Sequence, residues 1–314
     1  METARTAAGG DDVCQRVRSR LLTLLEGEKL PARERAAAGD VLAAIGDPRF
    51  RDNTEWCLPV DEMLGFVEVP AGPFLMGSDK VRDPQALDEE QPQHRIELPA
   101  FLMARFSVTV AQFRVFVQAT GTKLGDEDGL KEPATRPMTY VSLDEALSYC
   151  AWLDRALRSW PGLPAKLRQA LQRGKVTLPS EPAWEKAARG TDSRIYPWDD
   201  EWRPERANTI ESGMRATSAV GCFHSGKSPD GCEDMSGNVF EWTRSRFEKY
   251  PYQAEAKARA KRESPGGDDY RVVRGASCFD VRRSARAAYR YYNRPAGRNI
   301  SVGFRVVVSP SFGL

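Results

Sequence analysis

The sequence predicts an α+β domain built of short strands, two main helices and long irregular loops. Three observations point to it. Two stretches, Thr109 to Thr120 and Ser142 to Leu157, carry apolar residues at helical spacing behind good N-caps. Short apolar runs bounded by Pro and Gly (FVEV, FLMA, YRVVR, GFRVVV) read as strands. After Gly190 the chain is rich in Gly, Pro, Asp, Asn and Trp, and few regular elements fit. Loops this long inside a domain are functional or are tied down, for instance by ions.

The elements follow in order. Residues 11–46 read as two amphipathic helices, the second opening at Pro31 and stopping at Gly46. They are too small to hold a core of their own, so residues 1–50 form a helical lead-in that docks on a main domain at 51–314. FVEVPAGPFLMGS gives two strands around a Pro-Ala-Gly-Pro turn, and HRIELPAFLMARFSV gives strand, turn, strand. Thr109 caps the first main helix and Gly121 ends it. Ser142 and Glu145 make a capping box for the second. WPGLPAKLRQALQRG is an inserted helix, and VTLPSEPAWEKAARG is a strand followed by a helix capped by Ser180. The last strands are 270–274 and 303–308.

Composition excludes several functions. Lys+Arg of 46 against Asp+Glu of 44 leaves a net charge of +2, which gives no basic face for nucleic acid. No apolar run is long enough for a membrane span. The start, METARTAAGGDD, lacks the apolar core of a secretory signal, so a cytoplasmic protein is expected. The six cysteines are scattered without a CxxC, and the two histidines, His94 and His224, are far apart, which argues against a zinc or three-histidine site. Cys222 and Cys232 bracket one loop and could pair; otherwise the thiols are free and mostly buried.

Several segments, in order, carry a family resemblance: VPAGPFLMGS (69–78), EEQPQHRIELPAF (89–101), SVTVAQFRVFV (107–117), LPSEPAWEKAARG (178–190), YPWDDEW (196–202), GCEDMSGNVFEWT (231–243), VVRGASC (272–278) and VGFRVV (302–307). Together they resemble the formylglycine-generating-enzyme family, whose fold is a variant of the C-type lectin fold. The helical LPARERAAAGDVLAAIGDPR is similar to the lead-in of bacterial members that are not sulfatase-modifying. The family includes copper-dependent cysteine oxidases, iron-dependent sulfoxide synthases and ligand binders, among them the variable proteins of diversity-generating retroelements. Fold alone therefore does not choose the function.

The resemblance places the oxidase's two copper-binding cysteines at Asp280 and Ala285. Both thiols are missing, so no copper is expected. Cys278 stands two residues out of place, where the family has an aromatic. Two histidines cannot supply the synthases' iron site. Neither GxSxG, a phosphate loop nor HExxH occurs. The expectation is a protein that is not an enzyme. The family's structural calcium implies one site at Asn238, Val239 (carbonyl) and Glu241 and a second at Asn208, Thr209 (carbonyl) and Glu211. Alternatively, Asn238 and Glu241 simply cap turns.

The C-terminal segment carries a further signal. Lys, Glu, Gln, Met and Trp make up 57 of the 314 residues, yet none falls in the 51 residues 264–314. Adenine-directed randomisation of AAC codons yields NNC codons, which never encode these five types. A GC-rich, Arg-preferring genome is the other explanation. Tyr, Asn, Ser and Arg on a rigid scaffold are also the residues of antibody-like contact surfaces. The preferred reading is therefore a retroelement variable protein with a variable region at about 272–308. It binds an unknown protein or other macromolecule through Phe279, Asp280, Tyr289, Tyr291, Tyr292, Asn293, Arg298, Asn299 and Ser301, all partly exposed on one surface. Asp280 and Arg298, as contact positions, should tolerate substitution. The alternatives are a formylglycine-generating-type oxidoreductase acting on a protein cysteine, and a sensor module for partner proteins.

Overall fold

Caps and glycines set the helix limits. The computed structural model describes residues 10–27, 30–253 and 255–310; METARTAAG, read above for a signal, lies outside them. Helices α1 (Gly10–Glu26) and α2 (Ala32–Ile45) come first, with Asp11 and Asp12 at the positive end of the α1 dipole. Gly46 ends α2 at φ 95°, a conformation that favours a residue without Cβ. Leu25 of α1 and Leu42 of α2 pack on Ala219, Cys222 and Phe223. Arg49 pairs with Asp47 at 2.7 Å and donates to the Val220 carbonyl at 2.8 Å, so the lead-in is seated on the loop 219–223.

The strands form three small sheets among the described residues. The first is antiparallel, in the order β1 (Phe66–Val69), β4 (Phe101–Ala104), β10 (Val307–Pro310), β5 (Gly174–Thr177). The second pairs β2 (Gly72–Met76) with β3 (His94–Leu98), with Gly72 opposite Leu98. The third runs β8 (Tyr291–Asn293), β7 (Arg271–Arg274), β6 (Phe240–Arg246), β9 (Val302–Gly303), with β6 and β9 parallel. The strands flanking Pro-Ala-Gly-Pro do not pair with each other: β1 joins the first sheet and β2 the second.

Helix α3 (Val110–Thr120) carries the Thr109–Gln112 capping box, and α4 (Leu143–Ser159) the Ser142–Glu145 box. They meet through a cluster of rings, with Tyr149 lying 5.4 Å from Phe304 and 5.8 Å from Phe113. Trp242 of β6 is fully buried in the same core and donates Nε1–H to the Val141 carbonyl at 2.9 Å. Helices α5 (Ala165–Arg173) and α7 (Ala256–Glu263) lie at the edge of the domain.

Helix α6 (Glu181–Arg189) is different. Ser180 caps it, and every one of its residues is buried, including Glu181, Glu185, Lys186 and Arg189. A helix buried all round is normally apolar. Here the charges have partners: Lys186 Nζ donates to the Pro70 and Gly72 carbonyls, and Arg189 to Glu185 and the Gly77 carbonyl. Glu181 and Glu185 receive arginines from the C-terminal segment.

Trp242→Ala is expected to cost about 3–5 kcal/mol in chemical denaturation, from its cavity and an orphaned carbonyl. Arg274→Ala should cost a similar amount, about 3–5 kcal/mol, because it strands buried carboxylates. Burial alone would raise Glu181, but Arg290 and Arg274 hold it down at about 2. That stability is complete above the ordinary pKa near 4.5 and is lost as pH falls towards 2. An acid titration of Glu181→Gln should therefore start less stable and lose less over this range than the parent.

Candidate functional site

The C-terminal segment is fastened from beneath by arginines. Arg274 donates to Glu181 at 2.8 Å and Glu185 at 2.7 Å. Arg286 reaches Asp83 and both oxygens of Glu90, each at 2.6 Å. Arg290 holds Glu181 with two bonds, at 2.7 and 2.9 Å. Arg305 holds Glu241 with two, at 2.6 and 2.8 Å. All four guanidinium residues are at most 4 % exposed. The planar fork of arginine suits such paired contacts.

Between these anchors the chain turns outward. Tyr291 and Tyr292 are 49 % and 43 % exposed, and Phe279 is 41 % exposed. Tyr289, Asp280, Asn293, Arg298, Asn299 and Ser301 are half-buried. The two adjacent tyrosines lie in the edge strand β8, yet their rings stack with centroids 5.5 Å apart. Phe240 ties the loops together. Its ring lies 5.5 Å from Tyr291 and 6.5 Å from Tyr289, and its N–H donates to the Ser301 carbonyl. The neighbouring Asn238 carbonyl accepts from Cys278 N–H, immediately before Phe279. Tyr292 packs on Phe247 at 4.7 Å and Tyr270 at 4.9 Å, and the Arg294 guanidinium lies 5.0 Å from the Tyr270 ring.

Several polar members of the set serve the scaffold. Asp280 accepts from Ser277 N–H and Oγ–H. Asn293 accepts from Arg294 N–H, and Asn299 from Ser301 N–H and Oγ–H. Arg298 clamps Glu145 at 3.0 and 3.1 Å and reaches Ser142 Oγ at 3.2 Å. The expectation that Arg298 is a dispensable contact residue is therefore corrected: it supports the capping box of α4. Tyr270, Phe247, Val281 and Ile300 belong to the outer surface and were missed in the sequence. Phe240 comes from a strand whose pairing no local pattern announces, and Tyr270 immediately precedes β7.

The oxygens assigned to calcium are already engaged. Besides Arg305, Glu241 accepts from Ser107 Oγ–H and Trp184 Nε1–H, both at 2.7 Å. Asn238 Oδ1 accepts from Asn208 Nδ2–H and Ser218 N–H. Asn208 Oδ1 accepts from Ser212, and Glu211 from Thr209 Oγ1–H and Arg282 N–H. The Val239 carbonyl thus stands beside a carboxylate already held by arginine. A carboxylate neutralised by a bidentate guanidinium is a poor ligand for a hard dication, so the Glu241 set does not fit calcium. In the second set Glu211 has no guanidinium partner, and its oxygens accept from a hydroxyl and a backbone N–H. Arginine supplies the loop restraint that an ion was expected to give.

The described thiols are free, so Cys222 and Cys232 do not pair. Burial pushes Cys57 up to about 11 and Cys222, Cys232 and Cys278 up to about 12. Cys150 is also raised by burial. Ala285 is fully buried and Asp280 is half-buried. His224 bonds Glu233 at 3.1 Å, which raises its pKa, and His94 Nε2 accepts from Tyr252 N–H. Among the described residues no helix is long and apolar enough to cross a membrane.

Calcium or EDTA should leave the melting temperature unchanged in differential scanning calorimetry if Arg305 keeps Glu241; a clear rise with calcium that persists in Glu211→Gln would show calcium at the Glu241 set. With a disulfide reagent, the native protein should titrate Cys14 alone, and all six thiols once unfolded.

The family model described as Sulfatase-modifying factor enzyme 1-like domain matches residues 57–310. Hercynine oxygenase of Mycolicibacterium thermoresistibile is 28 % identical over 74 % of this chain. The chain spans only 56 % of that relative's length. The mouse protein named inactive C-alpha-formylglycine-generating enzyme 2 is 27 % identical over 77 % of this chain and 85 % of its own. In fold, the chain is similar to PvdO from Pseudomonas aeruginosa, with TM-score 0.64 and 22 % identity over 83 % of this chain and 98 % of that one. It is also similar to Treponema denticola variable protein 1, with TM-score 0.59 and 18 % identity over 78 % and 95 %. The expectation that the chain is not an enzyme is corrected by the oxygenases among these relatives. Losing cysteine at 280 and 285 removes one copper-thiolate chemistry and leaves other chemistries untouched. With the match covering most of its length, the chain belongs to the formylglycine-generating-enzyme (sulfatase-modifying factor) family, with that family's C-type lectin-like fold.

Proposed function

We propose that this chain acts by recognition, holding a protein or other macromolecular ligand against the C-terminal face around Tyr289, Tyr291, Tyr292 and Phe279. One observation carries the reading: an exposed aromatic patch stands on a segment whose anchors are buried. Exposed aromatic patches mark interaction surfaces, and tyrosine offers large contact area at low rotamer cost. Recognition precedes reaction in any enzyme, so this reading stands beside relatives that are oxygenases.

We further propose that the face is diversified. The residue types absent from 264–314 support this, and so does the separation of anchors from outward positions. In the flanking DNA, a near-identical second copy of the codons for about 272–308 is expected, differing only opposite adenines and beside a reverse transcriptase gene. Without it, diversification is withdrawn. For recognition itself, a displayed library with NNC codons at 279, 289, 291 and 292 is selected against lysozyme. Binders that lose affinity on reversion of the selected residues are expected. A well-folded library that yields no binders would overturn the reading.

A second reading, favoured by the oxygenase relatives, is that the same face holds a small substrate such as hercynine, whose trimethylammonium group suits aromatic rings. Calorimetric titration with hercynine would show saturable binding that Tyr291→Ala and Tyr292→Ala both abolish. Absence of heat at millimolar hercynine would remove this reading.

A further inference from the structure

A cleft of about 710 Å³ opens between α4, the β5–β10 edge and α7. It shares no lining residue with the aromatic face. One wall is apolar, formed by Leu147, Cys150, Ala151, Val176, Ala256 and Ala260. Cys150 adds to this character, since burial keeps its thiol neutral. A cleft of this size accommodates a small organic molecule.

The charges around it do not balance. Apart from Arg259, which has a partner of its own, Arg155, Lys175 and Arg244 line the cleft, against Asp154 and Glu263. Both carboxylates are engaged. Asp154 takes two bonds from Arg158, at 2.8 and 3.2 Å, and one from Val176 N–H. Glu263 accepts from Arg262 at 2.9 Å and Ser245 Oγ–H at 2.7 Å. Arg155 and Lys175 have no carboxylate partner among the described residues. The Arg244 side chain is only 12 % exposed. Its Nη1 donates to the Leu178 carbonyl, and its Nε lies 3.5 Å from Glu263, while Nη2 has no hydrogen bond among the described residues. Burial lowers the Arg244 pKa, the mark of a desolvated cation with too little counter-charge.

We propose that this cleft binds an amphipathic organic anion, its carboxylate on Arg244 and the rim cations Arg155 and Lys175, its alkyl chain along the α4–α7 wall. The apolar wall favours the chain by removing its surface from water. The largely desolvated guanidinium makes the anion contact stronger than a surface pair.

The full chain is titrated with 1-anilinonaphthalene-8-sulfonate, and bound dye is displaced with decanoate or with decyltrimethylammonium. Decanoate should displace the dye at a concentration about tenfold or more below that of the cation. Arg155→Glu with Lys175→Glu should weaken decanoate about tenfold or more. Ala151→Trp, which fills the cleft from an exposed helical position, should abolish displaceable binding at an unchanged melting temperature. If that variant fails to fold, the charge reversal decides. Equal displacement by both detergents, or undiminished decanoate binding to either variant, overturns the assignment. So does decanoate binding that emerges only after removal of residues 311–314, since the cleft would then belong to the chain's own end.

Discussion

Two arginines sixteen positions apart, Arg274 and Arg290, converge on one fully buried carboxylate, Glu181, with Tyr250 and Tyr252 donating to the same group. The rest of the C-terminal segment depends on that convergence. Between the two arginines the chain has almost no regular structure, so backbone pairing cannot hold it. Burying ions carries a desolvation penalty, and a buried pair adds little net stability over an apolar replacement. What it does supply is direction. A carboxylate with every oxygen satisfied accepts its arginines in one arrangement only, and a displaced loop would strand charge in the core. Glu90, Glu185 and Glu241 repeat the device with Arg286, Arg274 and Arg305.

Scaffold and surface are thereby assigned to different residues of one segment. The anchors point inward and are invisible to a ligand. Phe279, Tyr291 and Tyr292 point outward, and their replacement leaves the carboxylate contacts intact. This arrangement suits a family whose members share a fold while differing in what they bind or transform. Helix α6 is the other half of the arrangement, since it lies wholly inside the domain and presents Glu181 and Glu185 on successive turns to the arginines above.

Much of the fold was legible in local signals. Thr109, Ser142 and Ser180 cap their helices as the sequence indicates, because capping is decided within four residues. The third sheet was legible only in part: strand β7 stands where the sequence places it, but β6 does not read as a strand. Strand β6 carries Glu241, Thr243, Arg244 and Ser245, and its polar side chains bury against distant partners instead of alternating with solvent. The apparent strand 303–308 divides into β9 and β10 because Arg305 leaves the ladder to reach Glu241. Of the outer face, the tyrosines were evident from residue type, but the structural duties of Arg298 and Asn299 were not. Whether an Arg is a contact or a clamp depends on a carboxylate 153 positions away, as in Arg298 and Glu145. The same holds for the first calcium set, since only the folded chain shows Glu241 already holding Arg305.

The division between anchors and surface is tested most directly by saturation substitution of residues 272–308, with protease resistance of the displayed protein as the readout. Positions 279, 291 and 292 are expected to accept most residue types with stability changes within about 0.5 kcal/mol. Positions 274, 286, 290 and 305 are expected to accept almost none. A uniform profile across the segment, or tolerance at 274 and 290 with intolerance at 291 and 292, would contradict the account.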